Sequence, residues 1–319
     1  MPIITEFMAH NHDEWLAIRQ NYVGGSDAGA VLGVDPYKSP YALWAEKTGR
    51  VEPFAGNIAT EVGTRLEALV AELFTQETGL KVRRKNATMV NSLYPFACAN
   101  VDRIVTGQNA LLEIKTTTSI PVMRKVRGGD YPDKWYAQMT HYMAVTGARK
   151  AYLAVLVNCR ELHIYTLDRD QAEIDALMAA EARFWELVEK DTPPDPDASC
   201  ATTDALTEVY PDSNGESVEL FGRESLLREW ESLKAAQKST EERLRGIENQ
   251  LKADMGSAER GEAGEYTVTW KSQTRSTFQA KAFAADNPGI DLTPYYKTTA
   301  TRPFTIRKKS NKEDNSNAE

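Results

Sequence analysis

The stretch ACANVDRIVTGQNALLEIKTT, residues 97–117, decides the fold. Two largely apolar runs, 97–105 and 111–116, flank the turn residues 106–109, which is the pattern of an antiparallel hairpin. With Gly107 and Gln108 at the centre of the loop, Asp102 lies directly opposite Glu113. Opposed side chains on one face of a sheet have Cβ atoms roughly 5 Å apart.

Two carboxylates this close require a cation. They repel each other, and without a cation one of them would be forced to bind a proton. Carboxylate ligands suit Mg²⁺ or Mn²⁺, and the backbone carbonyl of Ile114 could add a neutral oxygen ligand. Lys115 emerges on the same face as Glu113, where its ammonium could position an attacking water and stabilise charge that builds on a phosphate.

A surface salt bridge would also explain a Glu-x-Lys pattern, which is common in exposed strands. The neighbours Leu111, Leu112 and Ile114 indicate a buried hairpin instead. Because buried charges need a compensating partner, this context favours a metal site.

Elements on both sides of the hairpin complete a mixed sheet. Helices are predicted at residues 13–20, 27–32, 39–49, 60–78, 134–145 and 171–189, and strands at 81–84, 87–91, 151–157 and 161–167. This order predicts an α/β (α+β) fold, in which helices flank a central mixed β-sheet.

The proline-rich acidic run 191–197 predicts the end of that core, giving a domain over residues 1–197. A C-terminal extension, 198–309, then carries a long helix over 223–253 and a strand at 266–270 that pairs with 304–306. Apolar residues follow an alternating four-three spacing along the helix, so it packs on the core, forms a helical hairpin, or binds a partner as a coiled coil. Residues 310–319 are predicted to be a disordered tail.

Composition excludes several classes of protein. Of the 319 residues, 41% are hydrophobic and 26% charged, and no run approaches the roughly 20 apolar residues of a membrane helix. The N-terminus has no secretory signal pattern. The cysteines Cys98, Cys159 and Cys200 are isolated, which disfavours a zinc or iron–sulfur site and suits a reducing cytosol.

The net charge of −8 disfavours nucleic-acid binding, but the cations are clustered. Residues 266–309 contain eight Lys or Arg and two Asp, a local net of +6. Such clusters are either solvated faces or DNA contacts. The candidate DNA-binding residues in two further clusters are Lys81, Arg83, Arg84, Arg124 and Lys125.

Four stretches together resemble the PD-(D/E)xK nucleases, and in particular the YqaJ-type branch that includes phage lambda exonuclease. They are WLAIRQNYVGGSDAGAVLG with SPYALWAEKTG (15–33 and 39–49), GTRLEALV (63–70), the hairpin that ends in LLEIKTT (111–117), and WYAQMTHYMAVTG (135–147). The sequence departs from the family's name in one place, because Asn100-Val101 precedes Asp102 where that name has a proline.

The resemblance implies that residues 1–197 form an exonuclease domain with a restriction-endonuclease-like core. It also implies roles for five residues. Asp102 and Glu113 match the metal ligands, and Lys115 matches the catalytic lysine. Glu67 matches a helix carboxylate that acts through a second metal or a water, and Gln138 matches a glutamine that helps to order the site. Considered without the family, Glu67 and Gln138 could each be solvated helix residues.

The resemblance also implies that Arg19 and Ser26 hold a terminal 5′-phosphate. Ser26 is predicted to cap a helix after two glycines, and such a helix start attracts anions. Alternatively, Ser26 is only a cap and Arg19 only a surface ion pair. His141, three residues after Gln138, is interpreted as a packed, hydrogen-bonded histidine and not as a ligand or base.

The implied function is that of a Mg²⁺-dependent 5′→3′ exonuclease, with Mn²⁺ as a substitute. It would degrade one strand of linear double-stranded DNA with a free end and leave 3′ tails for phage-type recombination. The resemblance also implies a homotrimeric ring and a phage single-strand annealing protein as partner. It implies no membrane association, and a location in the cytoplasm of a bacterial host that carries the phage or prophage. The alternatives are a DNA endonuclease or resolvase on the same core and a non-catalytic DNA-binding module.

Overall fold

The computed structural model describes residues 3–297 and 301–308, without the side chain of His12. The chain forms two compact units, Met1–Pro211 and Asp212–Glu319. The helices of the first unit are α1 (His12–Gln20), α2 (Gly25–Val31), α3 (Pro40–Lys47), α4 (Ile58–Thr78), α5 (Ile120–Arg127), α6 (Asp133–Thr146), α7 (Gln171–Glu189) and α8 (Cys200–Val209). Its strands are β1 (Ile4–Phe7), β2 (Val23–Gly24), β3 (Val82–Arg83), β4 (Thr88–Asn91), β5 (Tyr94–Ala99), β6 (Arg103–Val105), β7 (Ala110–Thr117), β8 (Lys150–Val157) and β9 (Glu161–Asp168).

A five-stranded mixed sheet, ordered β3-β6-β7-β8-β9, forms the centre of the first unit. Strands β7 and β8 are parallel and the other neighbours are antiparallel. The hairpin register agrees with the prediction, since Arg103 pairs with Leu112 and Ile104 with Leu111. The predicted mixed α/β architecture is therefore confirmed.

Helix α4 covers one face of this sheet. It starts where the Asn57 side chain accepts a hydrogen bond from the backbone N–H of Thr60, and it ends at Gly79 in the left-handed conformation. Val70 and Phe74 are fully buried and belong to one apolar cluster with strand residues that include Leu112, Ile114, Ala154 and Leu156. The opposite face of β7 and β8 packs on α6 and α7 through a cluster that includes Leu111, Leu153, Met139, Met143 and Ile174.

The predicted strand 97–105 is wrong in one respect, because it is two strands in two sheets. Strand β5 belongs to a four-stranded sheet ordered β1-β4-β5-β2, whereas β6 belongs to the five-stranded sheet. Polar side chains occupy the crossing. Asn100 donates to the hydroxyl of Thr88, and the Asp102 carboxylate accepts from the backbone N–H of Ile114. These bonds replace the ladder bonds that a continuous strand would make.

Helix α5 was not predicted from the sequence. Pro121 lies in its first turn, where a proline costs no hydrogen bond, and Gly128 ends it. The helix begins three residues after the end of β7, the strand that carries the candidate site.

Helix α8 extends the first unit beyond the predicted boundary at residue 197. It packs on α3, and the hydroxyl of Thr202 donates to that of Ser39 over 2.7 Å. The compact unit therefore ends at Pro211. Whether residues 1–197 fold as a domain without α8 stays a prediction.

The second unit contains the predicted long helix. Its elements are α9 (Glu224–Met255), β10 (Arg260–Ala263), β11 (Tyr266–Thr269), α10 (Ala280–Asp286) and a 3₁₀ turn at Thr293–Tyr295. The predicted pairing of 266–270 with 304–306 is wrong, because β11 pairs with β10 across a turn with Gly264 at φ 58°. Because the turn between β10 and β11 is short, closing it costs less conformational entropy than closing the long loop from β11 to residues 304–306. The predicted disordered tail, 310–319, lies outside the described residues.

Among the described residues, no helix is both long and apolar enough to cross a membrane.

Candidate active site

The structure brings Asp102, Glu113 and Lys115 together at the start of the hairpin. Asp102 lies just before β6, and its Oδ2 accepts a hydrogen bond from Ile114 N over 2.8 Å. Glu113 is 2% exposed on β7, and its Oε1 lies 2.7 Å from Lys115 Nζ. The other carboxylate oxygen of Glu113 is buried and has no hydrogen-bond partner among the described residues. A buried carboxylate oxygen without a hydrogen-bond donor is a place for a cation or an ordered water.

The charges of these groups are strongly coupled. Burial, reinforced by the negative charge of Glu113, raises the pKa of Asp102 to about 7. Burial alone would lower the pKa of Lys115, but the neighbouring Glu113 and Asp102 raise it above its ordinary value. Lys115 therefore remains an ammonium, and Asp102 loses its proton near neutral pH.

Glu67 lies next to this group on α4. Its Oε2 is 3.5 Å from an Arg103 guanidinium nitrogen, and the same nitrogen donates to the Asp102 backbone carbonyl over 2.6 Å. Burial, followed by the charge of Asp102, raises the pKa of Glu67. Arg103 was missed from the sequence. Its sequence signal is that it is a charged residue within the otherwise apolar run that pairs with β7.

The arrangement fits a divalent cation held by two carboxylates. No group of three or more His, Cys, Asp or Glu side chains among the described residues is arranged to hold a metal. Mg²⁺ commonly takes only one or two protein carboxylates and keeps several waters, so the pair Asp102 and Glu113 suffices. The ligand roles of Glu67 and of the Ile114 carbonyl stay predictions.

Metal binding should depend on pH through Asp102. Because protons and cations compete for this carboxylate, the apparent affinity for Mn²⁺ should fall about tenfold per pH unit below pH 7 and change little between pH 8 and 9. Calorimetric titration at pH 6, 7, 8 and 9 measures this. Equal affinities at pH 6 and 8 would contradict the assignment of Asp102 as a ligand.

Gln138 contacts a residue near the acids that the sequence did not reveal, and its own role in ordering the site stays a prediction. Its Nε2 donates to the hydroxyl of Tyr142 over 3.0 Å, and both side chains are buried on α6. Burial, followed by the charges of Glu113 and Asp102, raises the pKa of Tyr142 well above its ordinary value. Tyr142 is therefore a neutral phenol close to the acids. Its position four residues after Gln138, on the same helix face, is the signal that could have found it.

Arg19 and Ser26 are also brought together, but not as predicted. An Arg19 guanidinium nitrogen donates to the Ser26 hydroxyl over 2.6 Å. The prediction that Ser26 caps α2 is wrong, because the helix begins at Gly25 and Gly24 is its N-cap. Asp27 accepts from the Gly24 N–H over 3.0 Å, so a carboxylate already occupies the helix start.

The charge of that carboxylate is compensated from α1 and α3. Asp27 Oδ2 lies 3.0 Å from Lys47 Nζ, and Oδ1 lies 3.8 Å from Arg19. Although burial opposes them, Lys47 and Arg19 hold the pKa of Asp27 well below its usual range. The helix start therefore already has its anion, and the phosphate-binding roles of Arg19 and Ser26 stay predictions.

Comparison with known proteins agrees with this geometry. A model of the YqaJ-like viral recombinase domain matches residues 14–149, the part that contains the acid pair, Lys115, Glu67 and Gln138. The YqaJ protein of Bacillus subtilis (strain 168) is 32% identical over 316 residues, which cover 96% of this chain and 98% of that protein.

The chain belongs to the YqaJ-like viral recombinase family. Other similar proteins match a smaller part of the chain. Protein D345L of African swine fever virus (strain Badajoz 1971 Vero-adapted) is 44% identical over 69 residues, 21% of this chain and 20% of that protein. The crystal structure of LHK-Exo in complex with dAMP has a TM-score of 0.51 at 22% identity, covering 56% of this chain and 94% of that one. LHK-Exo is an alkaline exonuclease from Laribacter hongkongensis, and the likeness shows a shared fold.

The basic clusters flanking this YqaJ-like site differ in their environment. On α5, Lys125 lies 3.3 Å from Asp130 and 3.1 Å from Asp133, so its charge is largely compensated. On the other side, Arg84 and Arg103 line one shallow depression beside α4. The DNA-binding roles of Lys81, Arg83, Arg84, Arg124 and Lys125 stay predictions.

His141 is a structural residue of the YqaJ-like domain, as interpreted from the sequence. It is fully buried, with Nδ1 2.8 Å from Glu181 Oε1 and Nε2 2.8 Å from the Cys98 carbonyl. The carbonyl only accepts, so Nε2 donates to it. Nδ1 donates to Glu181 when that carboxylate is ionised, although burial raises the pKa of Glu181, and in that state the ring is an imidazolium. Burial would lower its pKa, but Glu181 and the carbonyl raise it. The ion pair ties α6 to α7 and β5.

Replacing Glu181 with alanine should destabilise the protein by about 3–5 kcal/mol, because it leaves a buried imidazolium without its counter-ion. Urea unfolding measures the change. Glu186→Ala is the matched control on the same helix, since Glu186 pairs with Lys190 at the surface and such a pair contributes under about 1 kcal/mol. Equal losses for the two variants would refute the buried ion pair.

Proposed function

We propose that this chain is a divalent-metal-dependent exonuclease that degrades one strand of linear duplex DNA from its 5′ end. The 3′ single-stranded tails left behind would serve phage-type recombination by strand annealing. The observation that carries the proposal is the buried Asp102–Glu113 pair, with an unpartnered carboxylate oxygen and an ammonium 2.7 Å away, inside a YqaJ-like viral recombinase domain.

Each residue of the site has a role that follows from its charge. Asp102 and Glu113 would hold Mg²⁺ or Mn²⁺, and a cation bound there supplies Lewis-acid stabilisation of phosphate charge. Lys115, kept protonated by the two acids, stabilises charge that develops at the scissile phosphate. Tyr142, held by Gln138, is a neutral hydrogen-bond donor beside the acids. Glu67 completes the acidic face and acts through a second metal or a water.

The proposal also includes the oligomeric state, the partner and the cellular location. A homotrimeric ring around the DNA would let a chain of net charge −8 remain bound, because only the lining of the ring needs to be basic. Candidate lining residues are Lys81, Arg83, Arg84, Arg124 and Lys125. A phage single-strand annealing protein would receive the 3′ tail, in the cytoplasm of a bacterial host.

Digestion of one duplex in linear and circular form tests the proposal. With Mg²⁺, the linear duplex should lose its 5′ label as mononucleotides, a 3′ label should stay in the shortened single strands, and the circle should stay intact. A cut circle would favour the alternative of an endonuclease or resolvase. Binding without cleavage of either form would favour a non-catalytic DNA-binding module.

Arg19 should control a preference for 5′-phosphorylated ends. The Arg19 guanidinium, which contacts the Ser26 hydroxyl, can bind a terminal phosphate through two hydrogen bonds. A phosphate bound there would position the next phosphodiester bond of that strand at the site. Wild type should digest 5′-phosphate duplex about tenfold or more faster than 5′-hydroxyl duplex, and Arg19→Ala should shrink that ratio towards one.

The comparison uses both ends and both proteins at one salt concentration, since phosphate affinity depends on salt. Arg50→Ala is a matched control, because Arg50 forms its ion pair with Asp191. Equal preference ratios for wild type and Arg19→Ala would rule out the phosphate role.

A further inference from the structure

Lys47 is a buried lysine that has no role in the proposed function as stated so far. Its side chain, on α3, is 3% exposed. Its Nζ lies 3.0 Å from Asp27 Oδ2 on α2, and it donates to the backbone carbonyl of Arg19 on α1 over 3.0 Å. A buried ion pair adds little stability beyond what apolar residues of the same size would give, so stability alone does not explain a lysine here.

Asp27 lies between two cations, and only one of them is close. Its Oδ2 is the oxygen next to Lys47 Nζ, whereas its Oδ1 lies 3.8 Å from an Arg19 guanidinium nitrogen, beyond the length of a hydrogen bond. Although burial raises it, the pKa of Asp27 lies well below its usual range, and Lys47 lowers it more than Arg19 does. Lys47 is therefore the principal counter-ion of this carboxylate.

Arg19 is the member of this cluster that reaches the solvent. One carboxylate (−1) and two cations (+2) leave the cluster of Asp27, Lys47 and Arg19 with a net charge of +1. The Arg19 side chain is 23% exposed and that of Asp27 3%. The guanidinium donates to the Ser26 hydroxyl and lies over the Trp15 ring, 4.7 Å from its centroid. The uncompensated positive charge of the cluster is therefore presented at the Arg19 guanidinium.

We propose that Lys47 is a positioning residue, which pairs with Asp27 and so keeps Arg19 available for a terminal 5′-phosphate. Without Lys47, Arg19 would be the closest remaining cation of the cluster, and a guanidinium forms a close pair with a carboxylate through two hydrogen bonds. Arg19 would then turn from Ser26 towards Asp27, and its charge would be neutralised. The inference rests on the phosphate role of Arg19 in the proposed function.

Equilibrium binding of two duplexes tests the proposal without cleavage. One short duplex carries 5′-phosphates and the other 5′-hydroxyls, and fluorescence anisotropy gives both dissociation constants in Ca²⁺ at one salt concentration. Wild type should bind the phosphorylated duplex about tenfold more tightly than the other. Lys47→Met should reduce this ratio to about twofold or less, because a guanidinium paired with Asp27 loses its charge-assisted bonds to the phosphate.

Removal of the Asp27 charge should restore the preference. Lys47→Met with Asp27→Asn also lacks the lysine and its bond to the Arg19 carbonyl, but no carboxylate competes for Arg19. Its ratio should return to within about twofold of wild type, whereas a purely structural role of Lys47 predicts equal losses in the single and double variants. Asp27→Asn alone should also keep the preference. If Lys47→Met does not fold, these two variants decide, because a loss of preference in either would overturn the proposal.

Lys134→Met is the matched control, because Lys134 also pairs with an aspartate beside α2, with its Nζ 3.3 Å from Asp35. It should keep the wild-type ratio, and a loss as large as that of Lys47→Met would overturn the proposal. So would a folded Lys47→Met that keeps the wild-type ratio, an outcome that leaves the phosphate role of Arg19 intact. Equal binding of the two duplexes by wild type would instead overturn that role and this inference together.

Discussion

Glu113→Ala is expected to reduce duplex cleavage by at least about a thousandfold. The change removes the carboxylate whose free oxygen would hold the cation, and the loss of Lewis-acid stabilisation is worth several kcal/mol at about 1.4 kcal/mol per tenfold in rate. Asp102→Ala should have an effect of similar size, because Asp102 supplies the second carboxylate. Initial rates on end-labelled linear duplex with saturating Mg²⁺ measure both.

The control for this prediction is Asp168→Ala. Asp168 lies at the end of β9 in the same sheet, with a side chain 79% exposed and paired with Lys150 at the surface. It should keep near-normal turnover. Urea unfolding should show that all three variants remain folded. Near-normal cleavage by folded Glu113→Ala would refute the site.

Removal of divalent metal is expected to abolish cleavage altogether. The carboxylates of Asp102 and Glu113 hold no cation after exhaustive treatment with EDTA, and their charges then repel both each other and the phosphate of the substrate. Mg²⁺ or Mn²⁺ should restore activity. Ca²⁺ should occupy the site with little turnover, since it accepts a looser geometry and more ligands.

The assay compares one protein sample before chelation, after chelation, and after each metal is returned at equal ionic strength. A chelated sample that is returned to buffer without metal is the control for irreversible damage. Full activity after exhaustive chelation would contradict the metal mechanism.

The sequence predicted the centre of the fold well because local patterns determine it. Alternation with period two fixes which residues of β7 share a face, and the turn at 106–109 sets the register of Arg103 with Leu112. Those two facts place Asp102 beside Glu113 and Lys115. The predicted helix start at residue 39 and helix end at residue 78 likewise agree with the caps that the structure forms at Ser39 and Gly79.

Features that depend on distant parts of the chain could not be predicted in this way. The crossing between two sheets depends on bonds from Asn100 to Thr88 and from Ile114 to Asp102. The start of α2 is set by Asp27, whose charge is stabilised by Lys47 on another helix. Tyr142 reaches the site only because Gly25 leaves room for its ring, which a Cβ there would approach to 2.3 Å.

Binding of Mn²⁺ to wild type and two variants, measured beside cleavage on the same samples, tests the central claim most directly. Wild type should bind the ion and cleave. Lys115→Ala should bind it but not cleave, because Lys115 contributes charge and no ligand, and Glu113→Ala should do neither. Binding of Mn²⁺ by Glu113→Ala with wild-type affinity, or near-normal cleavage by Lys115→Ala, would contradict the proposed site.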